Sequence, residues 1–110
     1  MTILDNRIAV YIPSTIDANK PINTERQVNR ALVFLTTLFG GSTAIQSARG
    51  IWRSETLGLI EEKINIIESF CDSESLNKNL RAVRQFAREI KAELRQESIA
   101  IKVNNQLELL

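Results

Sequence analysis

Histidine is absent from the 110 residues of this chain, and with it the commonest metal ligand and the side chain best suited to proton transfer near neutral pH. A metal centre or a histidine-based catalytic triad starts without its usual parts, and no cofactor is expected. Cysteine occurs once, at Cys71. No intrachain disulfide can form, and this sparing use favours a reducing, cytoplasmic setting. Aromatic residues make up 5% of the chain, which is thin for the several stacking platforms of single-strand nucleic-acid binders. The apolar run Ala31–Leu35 is far shorter than the roughly 20 residues that cross a bilayer, so no membrane partner is expected. Met1–Arg7 has neither the basic nor the long apolar region of a secretory signal. Excess charge is missing too. Fourteen basic against 13 acidic residues leave a formal net charge of +1, so anion binding must come from a local patch and not from a global field.

What is present fits a single domain over residues 1–110, because a chain of roughly this size, 44% hydrophobic, can bury one sizeable core. In Arg7–Thr15, Ile8, Val10 and Ile12 alternate with Ala9 and Tyr11, the period of a strand with one aliphatic face. Pro13 ends it or sets it near an edge. Ser14–Asn23 reads as a loop, and Asn23 or Thr24 can cap a helix. Val28, Ala31, Leu32, Leu35, Leu38 and Phe39 then form one helical stripe that stops at Gly40-Gly41. Ser42–Trp52 and Leu59–Phe70, joined by a turn at Glu55–Gly58, read as a hairpin, with Ile60, Ile64, Ile66 and Phe70 at even spacing. Asp72 or Ser73 caps a second helix whose seam runs Leu76, Leu80, Val83, Ala87, Ile90, Leu94. Ile99, Ile101 and Val103 form a strand, and Leu107 and Leu109 a short extra C-terminal one.

The order strand, helix, strand, strand, helix, strand predicts an α+β ferredoxin-like βαββαβ sandwich, an antiparallel sheet with two helices on one face. The other sheet face is left open unless something binds there.

The second helix carries the most unusual pattern. Arg81, Arg84, Arg88, Lys91 and Arg95 recur at steps of three and four, while Glu89, Glu93 and Glu97 recur at steps of four on another flank. None has an opposite charge three or four places away, and like neighbours at that spacing cost about 0.2–0.5 kcal/mol each. Guanidinium forks in a row offer paired donors to carboxylates or phosphates. The alternative is a solvated flank whose long stems lie over the apolar seam. The charges Glu25, Arg26 and Arg30 make the first helix a poor neutraliser of the basic stripe. A second copy running antiparallel suits it better.

Other candidates are weaker. Trp52, between Arg49 and Arg53 and beside Gly50, either stacks on a ring while the arginines hold an anion or covers the core. Gly50 marks a bulge or a close backbone approach. Glu61 and Glu62 are consecutive on a strand and point to opposite faces, so they are no acid/base couple. Glu62 shares the parity of Ile60 and Ile64 and reads as a carboxylate reaching solvent. Cys71, before a helix N-terminus, is either a lowered-pKa thiol or a small buried residue. Tyr11 lies opposite the aliphatic face of its strand and is placed with Lys63, Asn65 and Ile67 on the open face.

These readings lead to an expectation of a small cytoplasmic, non-catalytic protein-interaction or regulatory module. It is homodimeric or docked on a protein partner through Arg81, Arg84, Arg88, Lys91, Arg95, Glu89 and Glu93, or through Tyr11, Trp52 and Arg53 on the open face. The alternative is nucleic-acid or nucleotide binding by the Arg81–Arg95 stripe. An enzyme or ligand carrier using Tyr11 and Lys63 ranks last, because no motif and no nucleophile with a base is visible.

Overall fold

A computed structural model of the chain describes residues 1–17 and 19–110. The elements run β1 (Asn6–Pro13), β2 (Thr15–Ile16), β3 (Lys20–Pro21), α1 (Glu25–Phe39), β4 (Thr43–Ser54), β5 (Gly58–Cys71), α2 (Ser73–Glu93), β6 (Ala100–Val103) and β7 (Gln106–Leu109). Five strands form one sheet in the order β4-β5-β1-β6-β7, every neighbouring pair antiparallel. Leaving β7 aside, this is the ferredoxin-like order, and β7 is the extra C-terminal strand. The loop expected over Ser14–Asn23 contains the small β2–β3 hairpin; its Ala18 lies outside the described residues.

Both helices cover one sheet face. Ile8, Val10 and Ile12 of β1 are fully buried there, with Ile67 of β5 and Ile101 of β6, against Val28, Ala31 and Leu35 of α1 and Val83, Ala87 and Ile90 of α2. Each such valine, leucine or isoleucine side chain removed from water contributes about 1.5–3 kcal/mol, so the two apolar stripes and the alternating strand hold the layers together. Gly40 ends α1 in the left-handed conformation, φ 92°, which suits a residue without a Cβ. Thr24 stands at the start of α1 but donates its hydroxyl to the Pro13 carbonyl at 2.9 Å, while Asn23 Oδ1 accepts from the Glu25 N–H. Asp72 does cap α2, accepting from the Ser75 N–H at 2.7 Å.

Two details of register and length shape the site. Opposed residues of an antiparallel pair share a face, and Tyr11 is opposite Ile66, Val10 opposite Ile67. Tyr11 therefore sits with Ile64 and Ile66, and Lys63, Asn65 and Ile67 point to the helix side, the reverse of the expected grouping. β5 is apolar on both faces at this point, so alternation does not decide its parity; pairing with β1 does. The second detail is the end of α2 at Glu93. Leu94 follows as the cap and Arg95 is left-handed at φ 50°, so Arg95 and Glu97 stand outside the helix.

The β4–β5 hairpin, of 12 and 14 residues, has the longest strands of a molecule whose extents are 46 × 24 × 22 Å. A bulge between Ile45 and Ala48 puts Ser47 at φ 60°, and the Ser47 N–H donates to Asn65 Oδ1 at 3.1 Å. Past the bulge, Ala48, Gly50 and Trp52 lie opposite Ile64, Glu62 and Ile60. No helix among the described residues is long and apolar enough to cross a membrane.

Candidate active site

Strand alternation sends Tyr11 to the open face precisely because Val10 and Ile12 go to the core. The β4–β5 register adds Trp52, Glu62 and Ile64 to that face. Together with the chain after α2 (Gln96–Ala100) and Leu107 and Leu109 of β7, they line a cavity of about 570 Å³, within the roughly 300–1,000 Å³ of small-molecule sites. Its charged lining is Arg53, Glu55, Glu62 and Glu97. Gly50 keeps Ile64 in place: a Cβ at that position would stand 2.6 Å from Ile64 Cδ1. The expected close backbone approach is found at Gly50, and the bulge lies three residues earlier.

Glu62 is the group of most chemical interest. Its carboxylate is half-buried and accepts a 2.8 Å hydrogen bond from the Thr15 hydroxyl. Burial pushes its pKa above the ordinary carboxylate value, opposed by the Thr15 hydroxyl and by the indole of Trp52. The indole N–H lies near that carboxylate, outside hydrogen-bond geometry. Trp52 Nε1 is buried and makes no hydrogen bond of normal geometry, the one such side-chain atom among the described residues. A buried donor without a partner costs about 1–3 kcal/mol, and Glu62 is the acceptor beside this one. Glu97 closes one side of the cavity by accepting from Ser54 Oγ at 2.7 Å and Thr56 Oγ1 at 3.2 Å. A second cavity of about 890 Å³ lies on the far side of Glu62, lined by Ser14, Thr15, Pro21, Ile22, Arg49 and Lys63 among others.

Tyr11, Trp52 and Arg53 thus come together, and the α2 charges do not join them. The charge separation of α2 is compensated in part inside the fold. Arg84 binds Glu108 of β7 through two 2.8 Å bonds, and Arg95 pairs with Asp17 at 2.6 Å. Glu93 takes a forked pair of bonds, 2.6 and 2.8 Å, from Arg30 of α1. Arg30 also lies 5.9 Å over the ring of Phe86, which stacks on Phe34. The first helix therefore supplies a cation to the acidic flank. Arg81, Arg88 and Lys91 make no ion pair among the described residues, and Glu89 has only a 3.5 Å contact with Gln85.

Cys71 is buried, and its thiol pKa is raised, by burial first and then by Asp72 and Asp5. It is an inert packing group in spite of its place before α2. Glu61 is paired with Arg49 on the other side of the arm. The parity of Glu62 with Ile60 and Ile64 was visible in the sequence, but its reading as a carboxylate reaching solvent is corrected by its half-burial against Thr15. Thr15 and Gln96 carried no such signal.

Fold and cavity together define a ferredoxin-like α+β sandwich whose open sheet face carries an aromatic and carboxylate-lined site. No family model matches the sequence, and no curated protein does. Two solved structures match over the whole chain. A phage SAM lyase in complex with S-methyl-5'-thioadenosine is similar with a TM-score of 0.73 and 13% identity, covering 100% of this chain and 92% of that one. A phage SAM lyase in the apo state is similar with a TM-score of 0.70 and 15% identity, covering 100% and 94%. The likeness establishes the fold. It also corrects the expectation of a non-catalytic interaction or regulatory module with nucleic-acid binding as its alternative, because the fold that spans this chain is carried by an enzyme in both structures. Of the charge stripe that motivated that expectation, Arg84 and Arg95 are paired within the chain, with Glu108 and Asp17.

Proposed function

We propose that this chain is an enzyme that cleaves S-adenosylmethionine without using water, and that the cavity on the open sheet face is its active site. The observation that carries the proposal is the half-buried Glu62 carboxylate, held by Thr15, in one cavity with Tyr11 and Trp52. The whole-chain likeness to phage SAM lyase supports it.

S-adenosylmethionine is a sulfonium bearing methyl, adenosyl and aminobutyrate groups, and S-methyl-5'-thioadenosine retains the first two. Passing from one to the other breaks the bond from sulfur to the aminobutyrate carbon, and the bonding pair returns to sulfur, leaving a neutral thioether. Without water, the four-carbon fragment either closes on its own carboxylate to a lactone or loses the adjacent proton to form an alkene. The second route needs a base, and Glu62 is the group placed to take that proton. In either route positive charge disappears as the bond breaks. Apolar walls such as Ile64, Leu107 and Leu109 therefore favour the transition state over the charged substrate.

Recognition follows from the same lining. Three carboxylates, Glu55, Glu62 and Glu97, against the single guanidinium of Arg53 suit a ligand with two cationic groups and one carboxylate. The rings of Tyr11 and Trp52 suit a sulfonium by cation–π attraction and an adenine by stacking. Incubation of the purified protein with S-adenosylmethionine, followed by chromatography, tests the proposal. Release of S-methyl-5'-thioadenosine is expected, slowed roughly 100-fold or more by Glu62→Gln. An untouched substrate at stoichiometric enzyme contradicts it.

A further inference from the structure

Behind Glu62 lies a second shell of polar contacts that reaches across the whole chain. Gln96 is only 8% exposed, and its side-chain amide has two hydrogens to place. Nε2 donates to the Thr15 carbonyl at 3.1 Å and to the Leu94 carbonyl at 3.1 Å, and approaches the Thr15 hydroxyl at 3.5 Å. Thr15, 5% exposed, has a single hydroxyl hydrogen. It is donated to Glu62 Oε2 at 2.8 Å.

The same stretch is fastened twice more. The Asp17 N–H donates to the Leu94 carbonyl at 3.0 Å, and Arg95 pairs with the Asp17 carboxylate at 2.6 Å. Asp17 and Arg95 are both left-handed, φ 52° and 50°, a conformation costing a non-glycine residue roughly 1–2 kcal/mol.

We infer that Gln96 is a positioning residue of the active site: it fixes Thr15, and through the Thr15 hydroxyl it fixes the orientation and charge state of the Glu62 carboxylate. This rests on the reading of Glu62 as the reacting group. A carboxylate on a long side chain at the mouth of two cavities has several rotamers available. The chain from the Gln96 amide through the Thr15 backbone and hydroxyl to the carboxylate selects one of them. The other charged or titratable groups around Glu62 are Tyr11 on β1, Arg53 on β4, and Glu55 and Glu97 at the cavity edge, with Arg49, Glu61 and Lys63 on the far side.

The test uses Gln96→Met, which keeps the length and removes the donor, together with Thr15→Val and Thr15→Ser. Two readouts are taken: the pH dependence of S-adenosylmethionine cleavage, and the titration of Glu62 followed by carbon NMR on labelled glutamate in the free protein. Losing a bond to the charged carboxylate displaces both the acid limb of the profile and the Glu62 titration to higher pH in Gln96→Met and Thr15→Val. Cleavage at neutral pH falls roughly tenfold, and Thr15→Ser matches the parent. The double variant Gln96→Met with Thr15→Val is no worse than Thr15→Val alone, since both act along one path. If the Glu62 titration moves as stated but no variant and no parent cleaves the substrate, the positioning role stands and the proposed function falls. If rates drop while profile and titration stay put, Gln96 serves only the fold and the inference is overturned. Should Gln96→Met not fold, the Thr15 pair decides alone.

Discussion

Thr15 and Glu62 stand 47 positions apart in the chain, yet the hydroxyl of the first reaches the carboxylate of the second at 2.8 Å. The contact exists because β1 leaves β5 after Pro13, which brings the next residues beside Glu62 without covering it. It sets an opposition between stability and function. Burial raises the pKa of Glu62, so the folded protein holds its proton more tightly than the unfolded chain does. Stability contributed by the protonated form is then lost as pH rises above the ordinary carboxylate value and through the raised one.

Replacing Glu62 by Gln should therefore raise the melting temperature at pH 7 while abolishing cleavage. At pH 4 or below, where the parent carboxyl is protonated as well, the difference in melting temperature should shrink toward zero. Thermal unfolding of parent and variant at the two pH values checks both statements, and an equal difference at both would show that ionisation of Glu62 is not the cause.

Gly50→Ala should weaken substrate binding more than it weakens the fold. The added methyl meets Ile64 Cδ1 at 2.6 Å, the free end of a side chain, which can swing aside. The swing carries Ile64 into the cavity it lines. A KM raised several-fold with a stability loss below about 1 kcal/mol is expected, smaller than the roughly 1–3 kcal/mol of overpacking in a rigid core. Adding Ile64→Val should bring KM back toward the parent.

Trp52 is the sole tryptophan, so intrinsic fluorescence reports on the cavity without interference. Its buried N–H lacks a partner, and ligand entry changes both the polarity and the hydrogen bonding of the indole. Titration with S-methyl-5'-thioadenosine should give a saturable change in emission. Trp52→Phe should cost no stability through hydrogen bonding, because no bond is lost, while weakening the ligand.

Arg84 and Glu108 tie the last strand to α2, and Glu108 is held below the ordinary carboxylate range by the Arg84 hydrogen bonds. With the pair partly exposed, at 37% and 24% of the side chains, a double-mutant cycle should give a coupling of about 0.5–1 kcal/mol that shrinks with salt. The contribution is present above the ordinary glutamate pKa and is lost as pH falls through the lowered one. A coupling indifferent to salt would contradict this.

Much of the fold was legible because single elements carried one pattern each. Ile8, Val10 and Ile12 leave only one face for β1, and the Leu76 to Leu94 seam leaves only one for α2. β5 was not legible in parity, since Ile64, Ile66 and Ile67 are apolar on both sides, and its register came from pairing with β1. Helix length misled as well: the seam continues to Leu94, but Arg95 turns left-handed and pairs with Asp17. The site was the least legible part. Tyr11, Trp52 and Arg53 drew notice as aromatic or charged residues, whereas Glu62 acquires its meaning from Thr15 and Gln96, and Gln96 meets Thr15 across 81 positions. No local spacing encodes such contacts.

The most direct measurement of the central claim is a single-turnover incubation of the protein with S-adenosylmethionine in ¹⁸O-enriched water, read by mass spectrometry. S-methyl-5'-thioadenosine should appear together with a four-carbon lactone or alkene amino acid containing no ¹⁸O from the cleavage step. Homoserine bearing ¹⁸O on its hydroxyl, or unchanged substrate, would contradict the account.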